Sequence, residues 1–180
     1  MGIRDGIQKN LDAYHVLQQV LSRYMLDKKH AELESLEGSK PKLVVLGLDR
    51  CILDCGGPSF TQLCPPFERD ANEVYDSNDN PVRVAEKTKI GLQWLFDQDI
   101  VLCVLCSTAR SDIARQLLRD LDLESYFQIV SITTDSPKNQ IKDLKKSHGL
   151  EFDDILYIDH VSNRPQDMES MGIIAYESND

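Results

Sequence analysis

The sequence has no apolar run long enough to cross a membrane, no leader-like apolar stretch near its first residues and no surplus of positive charge. Its longest apolar stretches, Leu43 to Leu48 and Ile100 to Cys106, fall far short of the roughly 18 residues that span a bilayer, so no transmembrane helix is expected. No N-terminal apolar stretch leads to a small-residue cleavage site, so secretion is not expected either. Arg4, Lys9 and Arg23 sit among Asp5 and Asp12, whereas organelle transit peptides are poor in acids. Met1-Gly2 is not followed by the Ser or Thr that myristoylation needs, because the sixth residue is Gly6. Lys and Arg number 20 against 30 Asp and Glu, giving a net charge of −10. A field of that sign repels phosphate backbones and anionic lipid, so neither nucleic acid nor a membrane surface is the expected partner. The five cysteines form an odd set with no leader before them, which points to a reducing compartment, most simply the cytosol.

What is present is an ordinary globular composition, 41% hydrophobic and 28% charged over 180 residues, enough for one domain with an appendage. The appendage comes first. Ile7, Leu11, Tyr14, Leu17, Leu21 and Tyr24 recur at three- and four-residue spacing, which predicts a helix from residue 6 to about 36 with one apolar stripe. Gly38-Ser39-Lys40-Pro41 then stops it. The expected division is a helix and linker over 1–41 and a domain over 42–180.

From Leu43 the pattern changes to short apolar runs: 43–48, 100–105, 127–132, 155–158 and 173–176. Helical patterns alternate with them over roughly 83–98, 110–122, 137–148 and 164–171. Alternation of this kind predicts an α/β fold, a doubly wound parallel sheet with helices on both faces. Ligands of such sheets bind beyond the carboxyl ends of the strands. The exception is 54–83, where Gly56-Gly57-Pro58, Pro65-Pro66 and Asp76–Pro81 surround short extended pieces, predicting a small β-hairpin flap over the mouth of the first strand.

Each strand end carries residues that could do chemistry. After the first comes Gly47-Leu48-Asp49-Arg50-Cys51. After the second, Ser107-Thr108 runs into a helix start, where hydroxyls and amides either cradle an oxyanion or merely cap the helix. After the third comes Pro137-Lys138. Proline suits the first helical position, but a lysine there opposes the helix dipole, which a bound anion could offset. After the fourth comes Asp159-His160, an acid placed as a magnesium ligand would be.

This order, with the Gln116-Leu117-Leu118 helix, Tyr126-Phe127 and His148-Gly149 in step with it, resembles the haloacid-dehalogenase superfamily. Within it, the chain is similar to the small magnesium-dependent, acid-phosphatase-like branch, over about residues 42–177. The resemblance implies two aspartates one residue apart after the first strand, a nucleophile and a general acid/base. Here the acid/base position holds Asp49 and the nucleophile position holds Gly47. It also implies phosphate binding by Ser107 or Thr108 and by Lys138, and a magnesium ion held by Asp159 and the backbone carbonyl of Asp49. Losing the nucleophile of a covalent mechanism lowers the rate by about 10⁵ to 10⁶, or about 7 to 8 kcal/mol. Magnesium with one carboxylate left is weakly held or lost.

Other readings rank lower. Cys51, Cys55 and Cys64 with His148 or His160 lack the paired spacing of structural zinc sites. Cys103-x-x-Cys106 as a redox pair competes with simple burial in a strand. Cys51 beside Arg50 could replace the nucleophile if its thiol were acidified. His160 reads as a tolerated loop residue, and Trp94 as core. Three functions follow in order: a degenerate, inactive phosphatase-like domain acting as a structural or binding subunit through the Tyr14, Leu17, Leu21, Tyr24 stripe; a magnesium-dependent phosphatase acting on a phosphomonoester or phosphoprotein; and a sensor of a phosphate-containing ligand.

Overall fold

Leu43–Gly47 forms β1, and all five residues are buried. Val44 and Leu46 enter one hydrophobic cluster, while Leu43 and Val45 enter the other. That double burial is why the run is continuously apolar: alternate side chains face opposite ways, and both faces of the sheet are covered. The computed structural model describes Gln19 and residues 40–84, 86–160 and 163–177. The helix expected over 6–36 lies outside the described residues but for Gln19.

Five parallel strands make the main sheet. They are β1, β6 (Val101–Ser107), β7 (Ile129–Thr133), β8 (Ile155–Asp159) and β9 (Ile174–Glu177), ordered β7-β6-β1-β8-β9. Helix α1 (Glu86–Asp97) puts Leu92 and Leu95, and helix α2 (Ser111–Asp120) puts Ile113, Ala114, Leu117 and Leu118, into the cluster on one face. Helix α3 (Pro137–His148) contributes Ile141 and Leu144, and α4 (Asn163–Glu169) contributes Met168, to the cluster on the other. The expected α/β architecture is therefore present. Strand β6 runs on to Ser107, beyond the expected end at 105, because Cys106 and Ser107 still pair with Ile132 and Thr133. Helix α3 has the expected bounds. Ser136 caps it by accepting the Asn139 amide, Pro137 opens it, and Gly149 ends it at φ 64°, a conformation that glycine adopts without strain.

Between β1 and α1 the chain forms a second, antiparallel sheet ordered β2-β5-β4-β3: β2 (Leu53–Asp54), β5 (Pro81–Val84), β4 (Glu73–Tyr75) and β3 (Glu68–Asp70). Its three strand pairings are two more than the expected hairpin would hold. Phe60, Leu63, Val74, Val82 and Val84 join the same cluster as α1 and α2, so this sheet is part of the core rather than a loose flap.

Its turn is tied by Asp76, a buried carboxylate. The carboxylate accepts from the amides of Cys64, Asn78 and Asn80 at 2.8–3.0 Å, and from the Asn80 side chain. Burial opposes its ionisation, but these hydrogen bonds outweigh it and hold the carboxyl down at about 2. A depressed pKa contributes stability that is complete above the unfolded value near 4 and is lost as pH falls through about 2. Denaturant unfolding of the wild type should therefore weaken between about pH 4 and pH 2, and Asp76→Asn should show a shallower slope across that window.

Candidate functional site

The carboxyl ends of β1, β6, β7 and β8 bring Gly47, Ser107, Thr133 and Asp159 to one edge of the sheet. The central feature is the closeness of the first and last of these. Strands β1 and β8 are paired so that Val45 lies beside Tyr157 and Leu46 beside Ile158, and the next step along puts Gly47 beside Asp159. A side chain at 47 would share a face of the sheet with that of Asp159. A Cβ placed on Gly47 would lie 2.3 Å from Asp159 Oδ1, 2.5 Å from its Cγ and 2.9 Å from Oδ2. The carboxylate therefore fills the space that a side chain at 47 would need. Gly47 is not among the glycines at positive φ, so its glycine character here concerns room rather than backbone conformation.

Asp159 is 0% exposed, and both its oxygens are engaged. The His160 amide donates to Oδ1 at 2.7 Å. The Tyr157 hydroxyl donates to Oδ2 at 2.7 Å, and Arg164 Nη1 does so at 3.1 Å. Burial first, then the Asp159 charge and hydrogen bond, push the Tyr157 phenol up, so it remains a donor. For Arg164, burial favours the neutral form, but the Asp159 charge and hydrogen bond outweigh it and raise the pKa. Sequence reasoning missed Arg164 and Tyr157. Tyr157 was visible, two residues before Asp159 and so on the same face of the strand.

Asp49 lies close enough to this centre to act, with Asp159 and Arg164, on the Cys106 thiol. Asp49 Oδ1 accepts the Phe60 amide at 3.3 Å, and the chain turns back after it through Arg50 at φ 61°. Ser107 is the last residue of β6 and is partly buried. Thr108 is buried, and its hydroxyl accepts the Arg110 amide at 2.9 Å, a turn bond that precedes the helix rather than a side-chain cap on it. Arg110 in turn donates to the carbonyls of Thr61 at 3.0 Å and Leu63 at 3.5 Å, tethering the start of α2 to the segment between β2 and β3. Lys138 pairs with Asp167 at 3.0 Å. The charge that faces this first-turn lysine is thus a carboxylate of the protein itself, where the sequence pointed to a bound anion. Gln140, also missed, is buried and fixes this loop. Its Nε2 donates to the carbonyls of Cys106 and Asp135, and its Oε1 accepts from Ser131. A cleft of about 240 Å³, lined by Arg50, Asp54, Cys55, Gly57, Pro58 and His160, opens on the same side.

The thiol readings gain nothing from this geometry. Cys103 and Cys106 point to opposite faces of β6, one into each core cluster, so they cannot form a pair. Burial pushes both thiols up to about 12, with Asp49 adding to the effect at Cys106. Burial followed by Asp49 and Asp54 does the same for Cys55. Cys51 Sγ lies 3.8 Å from the Ile158 carbonyl.

Magnesium does not fit the donors as they stand. Among the described residues no group of three or more His, Cys, Asp or Glu side chains is placed to hold a metal ion. The one carboxylate at the centre has its lone pairs directed at a phenol, an amide and a guanidinium, and Arg164 already compensates its charge. A divalent cation there would meet like charge.

Comparisons with known proteins agree on the lineage. Residues 39–180 match the model of the family described as Acid Phosphatase. No curated protein sequence matches the chain. Among solved structures, a Clostridium difficile protein assigned as a phosphatase superposes with a TM-score of 0.57 at 12% identity, covering 78% of this chain and 88% of its own. A Haemophilus somnus 129PT protein assigned as a phosphoglycolate phosphatase gives 0.56 at 13%, covering 76% and 84%. The N-terminal part of BF1531 from Bacteroides fragilis, containing a phosphatase domain complexed with Mg, gives 0.51 at 11%, covering 77% of this chain and 36% of that one. With four-fifths of its length inside the family match, the chain belongs to the family described as Acid Phosphatase, and it shares its fold with these structures.

Proposed function

We propose that this chain is a phosphatase-derived domain that no longer hydrolyses phosphate esters and that serves as a binding or structural subunit of a protein assembly. The observation that carries the reading is the collision at position 47: where the family resemblance places an attacking carboxylate there is no side chain, and the space is filled by Asp159. Asp49 lacks the attacking neighbour that would displace an ester oxygen for it to protonate, and its Oδ1 accepts the Phe60 amide. In this reading the Tyr14, Leu17, Leu21, Tyr24 stripe supplies the contact with a protein partner, and the five free thiols suit the cytosol.

The second reading, a magnesium-dependent phosphatase acting on a phosphomonoester or phosphoprotein, has the family and the fold in its favour. Retention of a phosphate-containing ligand without cleavage is less well supported, because Lys138 and Thr108 are both engaged within the protein. The full chain assayed on p-nitrophenyl phosphate with magnesium should release phosphate about 10⁵-fold more slowly than an active family member. Turnover within about tenfold of that member, abolished by Asp49→Asn, would establish the second reading instead.

A further inference from the structure

Asp159 poses an electrostatic problem that the fold has already solved. A fully buried carboxylate needs a compensating cation and hydrogen-bond donors for both oxygens. Arg164 provides the charge, projecting from the first turn of α4, and it is half-buried, with 31% of its side chain exposed. Tyr157 and the His160 amide complete the set. Asp159 reaches these partners while lying over Gly47, so the missing side chain at 47 is what gives the ion pair its room.

We propose that Arg164 is the resident cation of this site, replacing a divalent metal and making the fold indifferent to magnesium. The proposal rests on reading residues 47 and 159 as the remnants of a phosphatase centre, but it concerns metal binding and stands or falls apart from hydrolysis. The guanidinium presents planar donors and a fixed charge at the carboxylate. A hydrated magnesium ion would have to displace it, and it would find one carboxylate where it usually needs that plus substrate oxygens.

The test is thermal unfolding and calorimetric titration of the full chain with magnesium chloride alone. Wild type should show no saturable binding heat and no shift in Tm at millimolar magnesium. Arg164→Gln uncovers the carboxylate and should gain weak but saturable binding at millimolar magnesium, with a magnesium-dependent rise in Tm of about 2 °C. If Arg164→Gln is unfolded without metal, magnesium should restore its fold. Arg164→Lys should stay indifferent, and Asp159→Asn/Arg164→Gln should lose the response. Saturable magnesium binding by the wild type that Asp159→Asn abolishes would overturn the proposal, as would an Arg164→Gln protein that ignores magnesium whether folded or not.

Discussion

Gly47→Ala should lower the stability of the protein by about 3 kcal/mol, a large effect for one added methyl. At an ordinary backbone conformation, replacing glycine by alanine usually stabilises by about 0.4 to 1 kcal/mol by restricting the unfolded chain. Here the new Cβ would stand 2.3 Å from Asp159 Oδ1. A flexible neighbour would simply swing away, but this one is held by Tyr157, His160 and Arg164. Making room means breaking charge-assisted hydrogen bonds in a dry site, which outweighs the entropic gain. Denaturant midpoints of the two proteins measure the difference, and an alanine variant as stable as wild type would mean the carboxylate is mobile. Gly47→Asp meets the same collision plus a second negative charge, so it should yield a less stable protein without phosphate release, even though it restores the residue type that the family resemblance implies.

Asp159→Ala should cost about 2 to 3 kcal/mol. Removing one partner of a buried pair commonly costs 3 to 5 kcal/mol, but Arg164 is partly exposed and can turn to water, which reduces the penalty. What remains is the orphaned Tyr157 hydroxyl and His160 amide. The informative experiment combines the two sites. With Asp159 reduced to alanine, the obstacle at 47 is gone and Gly47→Ala should be close to neutral. The double-mutant cycle should show a coupling of about 2 kcal/mol or more. Additive costs would mean that residues 47 and 159 do not touch in solution.

How much of this could be read from the residues alone depended on whether the cause was local. Strands β1 and β8 announced themselves because burial on both faces forces continuous apolar runs. Helix α3 did so because Pro137 and Gly149 act within a turn of its ends. The paired strands of the antiparallel sheet were visible as extended pieces between turn residues, but its place in the core was not, since that depends on Phe60 and Leu63 meeting α2. At the site, Gly47, Asp49, Ser107, Lys138 and Asp159 could be named from strand ends. Their partners could not. The crowding of Gly47 by Asp159 joins residues 112 apart through strand register, and the Lys138 pair with Asp167 depends on how α3 and α4 pack. Cys103 and Cys106 illustrate the converse: their spacing suggested a pair, and the alternation of a strand sends them to opposite sides.

The embrace of Asp159 by Arg164 above a bare Gly47 also acts as a ratchet. Reinstating an acid at 47 first strikes an immobilised neighbour, and deleting the arginine first strands a negative charge in the interior. Each opening move lowers the stability of the fold before it can regain anything, so on the proposed reading a return to hydrolysis needs both changes at once. Libraries that vary 47 and 164 together should hold revertants that single-site libraries do not.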